Sequence, residues 1–302
     1  NADMKWSIAA PVGVADVQLD GIADLIYVAD MGGQIFRIDL NRTLVDGSVE
    51  DSLEDTRIVT LAQLGVGDPS HTTIRDHRRF YVQPEIALSI QDDKPVVHVV
   101  IGSGYRPHPL NQDTVDHIYK IDDPDALGNT SSDVVRLDDL VDVTASSDVD
   151  FSGKRGWYLQ LLEGGTAREG EKVVANAVVV GGVIYVPSYL PETAFQDRCN
   201  RVIGSSRIYG LNIVDGSGAL LNNDGTYDRS KDVLLPGLAP PLQITEQDGV
   251  RRGILGTEVV ELGSSAGGKS YRKRWFEVPN RSAADAVIEE ALDSGEAPSQ
   301  AP

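Results

Sequence analysis

Cysteine is almost missing from this chain: the 302 residues contain one, Cys199, so no intrachain disulfide can staple the fold. Aromatic residues are scarce at 6%. A core must therefore be built from Val, Ile and Leu, which fit pleated sheets better than helices. No apolar run approaches the roughly 18–20 residues that a membrane-spanning helix needs, and no membrane insertion is expected. Cations are few as well: 27 Lys and Arg stand against 46 Asp and Glu, a formal net charge of −19. Nucleic acids and anionic lipid surfaces bind through cations that neutralise phosphate, so neither is an expected partner. Such a charge keeps a protein soluble, and some of its acidic clusters have the composition of calcium sites.

Helical periodicity is nearly absent before residue 280. Short β-branched runs recur instead between Gly, Asp, Asn and Pro clusters, the pattern of an all-β fold. A pair of runs repeats. Leu25–Val28 is followed by Ile35–Asp39, Val97–Ile101 by Ile118–Asp122, and Val183–Val186 by Ile208–Asn212. Glu258–Glu261 with Tyr271–Val278 forms a fourth, weaker pair. Each reads as a hairpin whose second strand is aliphatic and aromatic and, in the first three, ends in Asp or Asn. The first connection is tight, at Asp30-Met31-Gly32-Gly33, and the next two carry insertions. The pairs recur at roughly 70–90 residues, wider than the ~40–50 of compact propeller repeats. That spacing leaves room for two more strands per repeat. The expectation is a modified β-propeller over residues 1–280, with about four blades here and further blades in a larger ring. Residues 281–302 read as a flexible acidic tail with one short helix near Ala283–Leu292. The opening residues, Asn1 to Ser7, run straight into a strand-like segment, as expected of a chain that continues a longer protein.

Two loops carry oxygen ligands at metal-like spacing. Asp16, Gln18, Asp20 and Asp24 occupy positions 1, 3, 5 and 9 of a turning loop, with Gly21 at position 6 and the Ile22 carbonyl at position 7. Alternate residues of such a loop point at one centre, and Gly permits the sharp turn that calcium loops use. No Glu follows at position 12, where Tyr27 stands in this count. The same residues also suit an Asp-rich turn held by side-chain-to-backbone hydrogen bonds. The second loop offers Asn222, Asp224, Asp228 and Asp232, with Leu220 at a first position that cannot ligate. Asn223-Asp224-Gly225 is equally an ordinary turn sequence. Calcium and turn readings both stand for each loop.

Other motifs carry less. Gly263 to Ser270 fits the phosphate-loop expression, but the alternating run Tyr271 to Val278 follows where a helix N-terminus is needed, so a hairpin loop is expected. The five histidines lack zinc spacing. His98 sits inside an apolar strand and reads as structural, and His71 to Arg79 reads as a solvated basic connector. No nucleophile elbow occurs, and the carboxylates are too many for any pair to stand out as catalytic.

The segment from Asp16 to Leu40 resembles a blade of PilY1-type proteins, the β-propeller surface proteins of bacterial type IV pili. There an Asp- and Gly-rich stretch leads into a strand, a Gly-containing turn and an aromatic-Arg-x-Asp strand. Phe36 stands where that family often has Trp, and Leu25 where it often has Arg. Later segments agree in order: Ile101-Gly102-Ser103-Gly104, Gly156-Trp157-Tyr158-Leu159, Glu171 to Val174, Val183 to Pro191, and Cys199 with Gly204 to Tyr209. The resemblance covers roughly residues 4 to 278 and implies a non-enzymatic module of the bacterial cell surface, pilus tip, periplasm or outer membrane. It implies support of pilus assembly, tip adhesion and surface sensing, with minor pilins, the pilus tip complex or the N-terminal part of the same protein as partners. It implies calcium as a regulator, although Gln18 and Leu220 depart from the family's loops. Insertions such as 102–116 and 187–206 are candidate partner contacts, since loops on a rigid scaffold often carry function. A quinoprotein-like propeller enzyme of the bacterial envelope is the alternative.

Overall fold

A computed structural model of the chain describes residues 1–17, 21, 23–40, 43–45, 48–50, 56–91, 94–124, 126, 133–163, 166–167, 170–191, 204–222, 224–238, 240–247 and 250–264. They belong to one compact unit, Asn1–Gly268. The tail, the short helix expected in it and the run Tyr271–Val278 lie outside the described residues.

The fold is all-β and propeller-like. The first sheet is a meander of β1 (Gly13–Ala15), β2 (Leu25–Ala29) and β3 (Gln34–Asp39). A small hairpin, β4 (Thr43–Val45) with β5 (Ser48–Glu50), precedes its last strand, β6 (Arg57–Gln63). The second sheet contains β7 (Glu85–Gln91), β8 (Lys94–Gly102), β9 (His117–Asp123), the two-residue β10 (Val141–Asp142) and β11 (Gly156–Gln160), in the order β10-β11-β9-β8-β7. After a hairpin of β12 (Leu162–Glu163) and β13 (Thr166–Ala167), the third sheet lays β14 (Lys172–Val173) and β15 (Val178–Val180) along β16 (Val183–Leu190), then β17 (Ser205–Asn212). The hairpin of β18 (Leu220–Leu221) and β19 (Tyr227–Asp228) leads to its last strand, β20 (Ser230–Pro236). The fourth is β21 (Leu242–Gln247), β22 (Val250–Leu255) and β23 (Glu258–Ser264).

Three of the four expected hairpins are present in register. Leu25 lies opposite Asp39, His98 opposite Asp122, and Val183 opposite Asn212. The fourth falls partly outside the described residues, since Tyr271–Val278 does; among the described residues β23 pairs with β22. Arg251-Arg252-Gly253 breaks the apolar signal of β22, yet its residues alternate strictly between buried and half-buried, as in a strand with one face packed. Central strands differ. In β8, Val96 to Ile101 are all buried, because both faces are covered.

One apolar core joins the first three sheets and includes Tyr27, Leu61, Val99, Trp157 and Leu211. A second joins the third and fourth through Tyr185, Ile208, Leu220 and Leu255. The chain also crosses back between sheets. Val135, on the way to β10, exchanges backbone hydrogen bonds with Leu61 and Gln63 of β6, and the neighbouring Arg136 reaches Asp68 at 2.6 Å.

At the junction of the first two sheets lies an ion pair with no exposed surface. Arg37 of β3 donates through Nη1 to both carboxylate oxygens of Asp123 at the end of β9, at 2.7 and 2.9 Å. Its Nε donates to Asp39 at 2.6 Å, and the Tyr27 hydroxyl donates to Asp123 at 3.0 Å. Burial, followed by the Asp123 carboxylate, holds the Tyr27 hydroxyl well above the usual phenol range. Removing one partner of such a pair strands a buried charge. Arg37→Met is therefore expected to cost about 3–5 kcal/mol in urea unfolding. The double variant Arg37→Met/Asp123→Leu should recover part of that loss. A single variant as stable as the parent would show that the pair does not hold the sheets together.

Candidate functional site

The first oxygen-rich loop connects β1 to β2. Asp16 and Asp24, its outer positions, are both 5% exposed. The Asp24 amide donates to the Ala15 carbonyl, and its carboxylate accepts the Val17 amide at 2.6 Å. Asp16 accepts the Gly21 amide at 3.0 Å. Gly21 has φ +88°, a left-handed conformation that favours glycine, so the sharp turn expected at that position is present. Gln18, Asp20 and Ile22 lie outside the described residues. The structure thus places the two ends of the loop beside one another, each carboxylate anchoring backbone amides.

The second loop tips the β18–β19 hairpin. Asn222 Nδ2 donates to Asp228 at 2.7 Å and to Thr226 at 3.1 Å, while Asp224 accepts the Thr226 hydroxyl and amide. Those donations, the hydroxyl first, hold the Asp224 carboxyl below the usual range. Asn222, Asp224 and Asp228 are therefore brought together. Asp232 is not with them: it sits on β20 and pairs with Arg207 across the sheet at 2.6 Å. Leu220 is fully buried in the second core. Among the described residues, no group of three His, Cys, Asp or Glu side chains is arranged to hold a metal. Gly263 and Ser264 close β23, and the rest of the phosphate-loop-like run is outside the described residues, as is Cys199.

His98 links three strands. Its Nε2 meets the Ser89 hydroxyl at 2.7 Å and its Nδ1 meets Asp122 at 2.5 Å, with Lys120 also on Asp122. The histidine is 4% exposed, consistent with its place in an apolar strand.

The insertion between β8 and β9 is more ordered than a variable loop would be. Gly102, Ser103 and Gly104 pass directly beneath β14. A Cβ on Gly102 would sit 2.4 Å from the Val173 side chain, and one on Gly104 would sit 2.3 Å from the Val173 carbonyl. Close backbone approach is thus the reason for both glycines. Val173 donates its amide to Ser103 O, and the Ser103 hydroxyl donates to Asp116 at 2.7 Å while accepting the His117 amide. Lys172 is 1% exposed, and its ammonium donates to the carbonyls of Pro109, Asn111 and Gly170. Burial pushes that ammonium down to about 8, against the pull of Asp116 and Glu171.

The connector 71–79 is only partly solvated, which corrects the sequence expectation. Arg78 is 3% exposed and bonds the carbonyls of Leu64 and Val115 and the Asp76 carboxylate. A run of Arg and His gives no sign of which member turns inward. Pairing partners 37 and 14 residues away decide it.

Burial raises three carboxyls to about 6: Asp30 at the first tight turn, Glu85 on β7 and Asp116. Each folded value lies above the unfolded one near 4. Each therefore contributes stability that is complete below pH ~4 and is lost as the pH rises through about 6. Asp116→Asn removes one such group. Relative to the parent it should gain roughly 2–3 kcal/mol between pH 4 and pH 7. Urea titrations at the two pH values check this, and a gap that does not change with pH would place the Asp116 carboxyl in the ordinary range.

No family model matches the chain. It is 21% identical over 234 residues to a type IV pilus biogenesis factor PilY1 homolog from Xylella fastidiosa (strain Temecula1), covering 72% of this chain and 15% of that protein. It superposes on the crystal structure of the Pseudomonas aeruginosa PilY1 C-terminal domain with a TM-score of 0.61 and 17% identity, over 83% of this chain and 60% of the other. The chain thus spans under two thirds of either protein's length. It has the fold of a PilY1-type C-terminal domain, and its sequence resembles that of a PilY1 homolog.

Proposed function

We propose that this chain is a non-enzymatic, type IV pilus-associated module that supports pilus assembly, tip adhesion and surface sensing. The observation that carries the reading is the agreement of sequence and fold on one kind of protein: the relative is named as a type IV pilus biogenesis factor, and the solved domain is of the same kind. The partners are minor pilins or the pilus tip complex, together with the rest of the parent protein. The location is the bacterial surface, the pilus tip, the periplasm or the outer membrane. Among the described residues no helix is long and apolar enough to cross a membrane. A quinoprotein-like enzyme draws support only from propeller architecture, and architecture does not fix function.

Calcium in the β1–β2 loop belongs to the same proposal. Asp16 and Asp24 stand at its two ends beside one another, and Gly21 supplies the turn. Asp20, Gln18 and the Ile22 carbonyl complete a set of oxygens within the six to eight that calcium takes once water joins them. The hairpin tip at Asn222, Asp224 and Asp228 is the weaker second site, without Asp232.

Calorimetric titration with calcium is expected to show one strong site that Asp20→Ala abolishes, while Asp224→Ala leaves it intact. Absence of heat and of thermal stabilisation by calcium would make the loop a plain Asp-rich turn and would leave the pilus reading standing. That reading is tested separately by deleting this segment from its parent protein in the source bacterium. Surface pili should be lost while the pilin pool persists, and unchanged pili would refute it.

A further inference from the structure

Although the chain carries a net charge of −19, cations gather at one place. The connector from β6 to β7 and the insertion from β8 to β9 are bound to each other along their length. Val115 donates its amide to Arg75 O at 3.0 Å, Gly104 donates to Arg79 O at 2.9 Å, and the Thr114 hydroxyl donates to Ile74 O at 3.3 Å. Arg78 crosses from one loop to the other, and Lys172 holds the insertion from below. The result is a rigid two-loop block that is already ordered without a partner.

This block presents Arg75, Arg79 and Arg106. Arg75 and Arg106 are exposed, and Arg79 is half-buried. Among the described residues none of the three meets a carboxylate. Arg79 donates to the His77 carbonyl and lies 4.3 Å above the centre of the Tyr105 ring. Elsewhere Arg37, Arg57, Arg136, Arg207 and Arg251 sit in ion pairs, while Arg155 and Arg229 are taken up by backbone carbonyls. The carboxylates within the block are mostly engaged, Asp76 by Arg78 and Asp116 by burial against Ser103. Asp113 is exposed and accepts from Asn111.

Apolar surface accompanies the charge. Leu110 is 61% exposed and Ile74 57%. A shallow cleft of about 430 Å³ is lined by Tyr105, Pro107, His108, Pro109, Leu110 and Asn111. Tyr105 is packed against His108 at 4.6 Å and Tyr81 at 6.1 Å, so it is held in one orientation.

We propose that this block is a docking platform for an acidic protein segment, whose carboxylates pair with Arg75, Arg79 and Arg106 while an apolar side chain between them enters the Tyr105–Leu110 cleft. Guanidinium forks match carboxylates in two-point geometry. Ordered loops and stiff aromatics lose little freedom on binding, which is where affinity is usually lost. The many acids elsewhere on the chain repel an anionic partner, but at physiological ionic strength that repulsion fades beyond about 8 Å. A short acidic segment therefore feels the local cations, whereas a long polyanion lies across the acidic surface as well. Neither pilus association nor calcium is required for this binding.

The test uses the whole chain and a fluorescein-labelled peptide of alternating Glu and Leu, followed by anisotropy at physiological salt. Saturable binding is expected. A Gln-for-Glu peptide should bind about tenfold more weakly, equivalent to about 1.4 kcal/mol. The variant Arg75→Ala/Arg106→Ala should lose a similar factor, and Leu110→Ala should weaken binding without changing the melting temperature, because these side chains are exposed. Equal affinity for the Gln peptide, full binding by the double variant, or no saturable binding would overturn the proposal. So would tighter binding of a short alginate oligomer or single-stranded DNA, which would identify a general polyanion site.

Discussion

The contact between Arg37 and Asp123 fixes how the first two sheets meet. Both residues are wholly removed from water, and neither charge is tolerable there alone. The pair therefore specifies one relative placement of β3 and β9, in which Tyr27 also reaches Asp123. Everything on the β6–β7 and β8–β9 loops depends on that placement, since those loops spring from the same two sheets and bind each other. A related pattern runs through the strand ends. Arg37 with Asp39 and Lys120 with Asp122 are cation–carboxylate pairs two residues apart, on the same face of a strand. Asp39, which closes β3, and Asp122, one residue before the end of β9, are thus electrostatic partners of cations on their own strands.

Hairpins were the most legible part of the sequence, because apolar β-branched runs with a tight turn leave little choice of register. Leu25–Ala29 with Gln34–Asp39 shows this, with Gly33 at φ +71° closing the turn. Sequence alone does not reveal pairings whose partners are distant or whose strands are interrupted by charge. Parallel pairing of β10 with β11 is one case, and the return of Val135 to β6 is another. The pairing of β22 with β23 is a third: two arginines and a glycine interrupt the apolar signal of β22.

Sites divide the same way. Loop ends at Asp16 and Asp24 were legible because a contiguous spacing defines them. Asp232 was grouped with Asn222 by proximity in sequence, yet the hairpin tip and β20 separate them, and Arg207 claims the carboxylate. The basic platform was not legible as a unit. Its cations come from two segments some thirty residues apart, and a run such as Arg75-Asp76-His77-Arg78-Arg79 looks uniformly solvated until the fold turns Arg78 inward. The pair Gly102 and Gly104 was the one local sign of order there, since both make room for β14.

Lys172 has a mechanical consequence. Its ammonium is tied to the carbonyls of Pro109 and Asn111, and the next residue, Val173, is bonded to Ser103. A tug applied to the tip of the β8–β9 insertion is therefore not carried by that loop's own two stems alone. Part of the force passes sideways through the ammonium into β14, and from there into the ladder of β16 and β17. Tension at the tip is thus shared between two sheets.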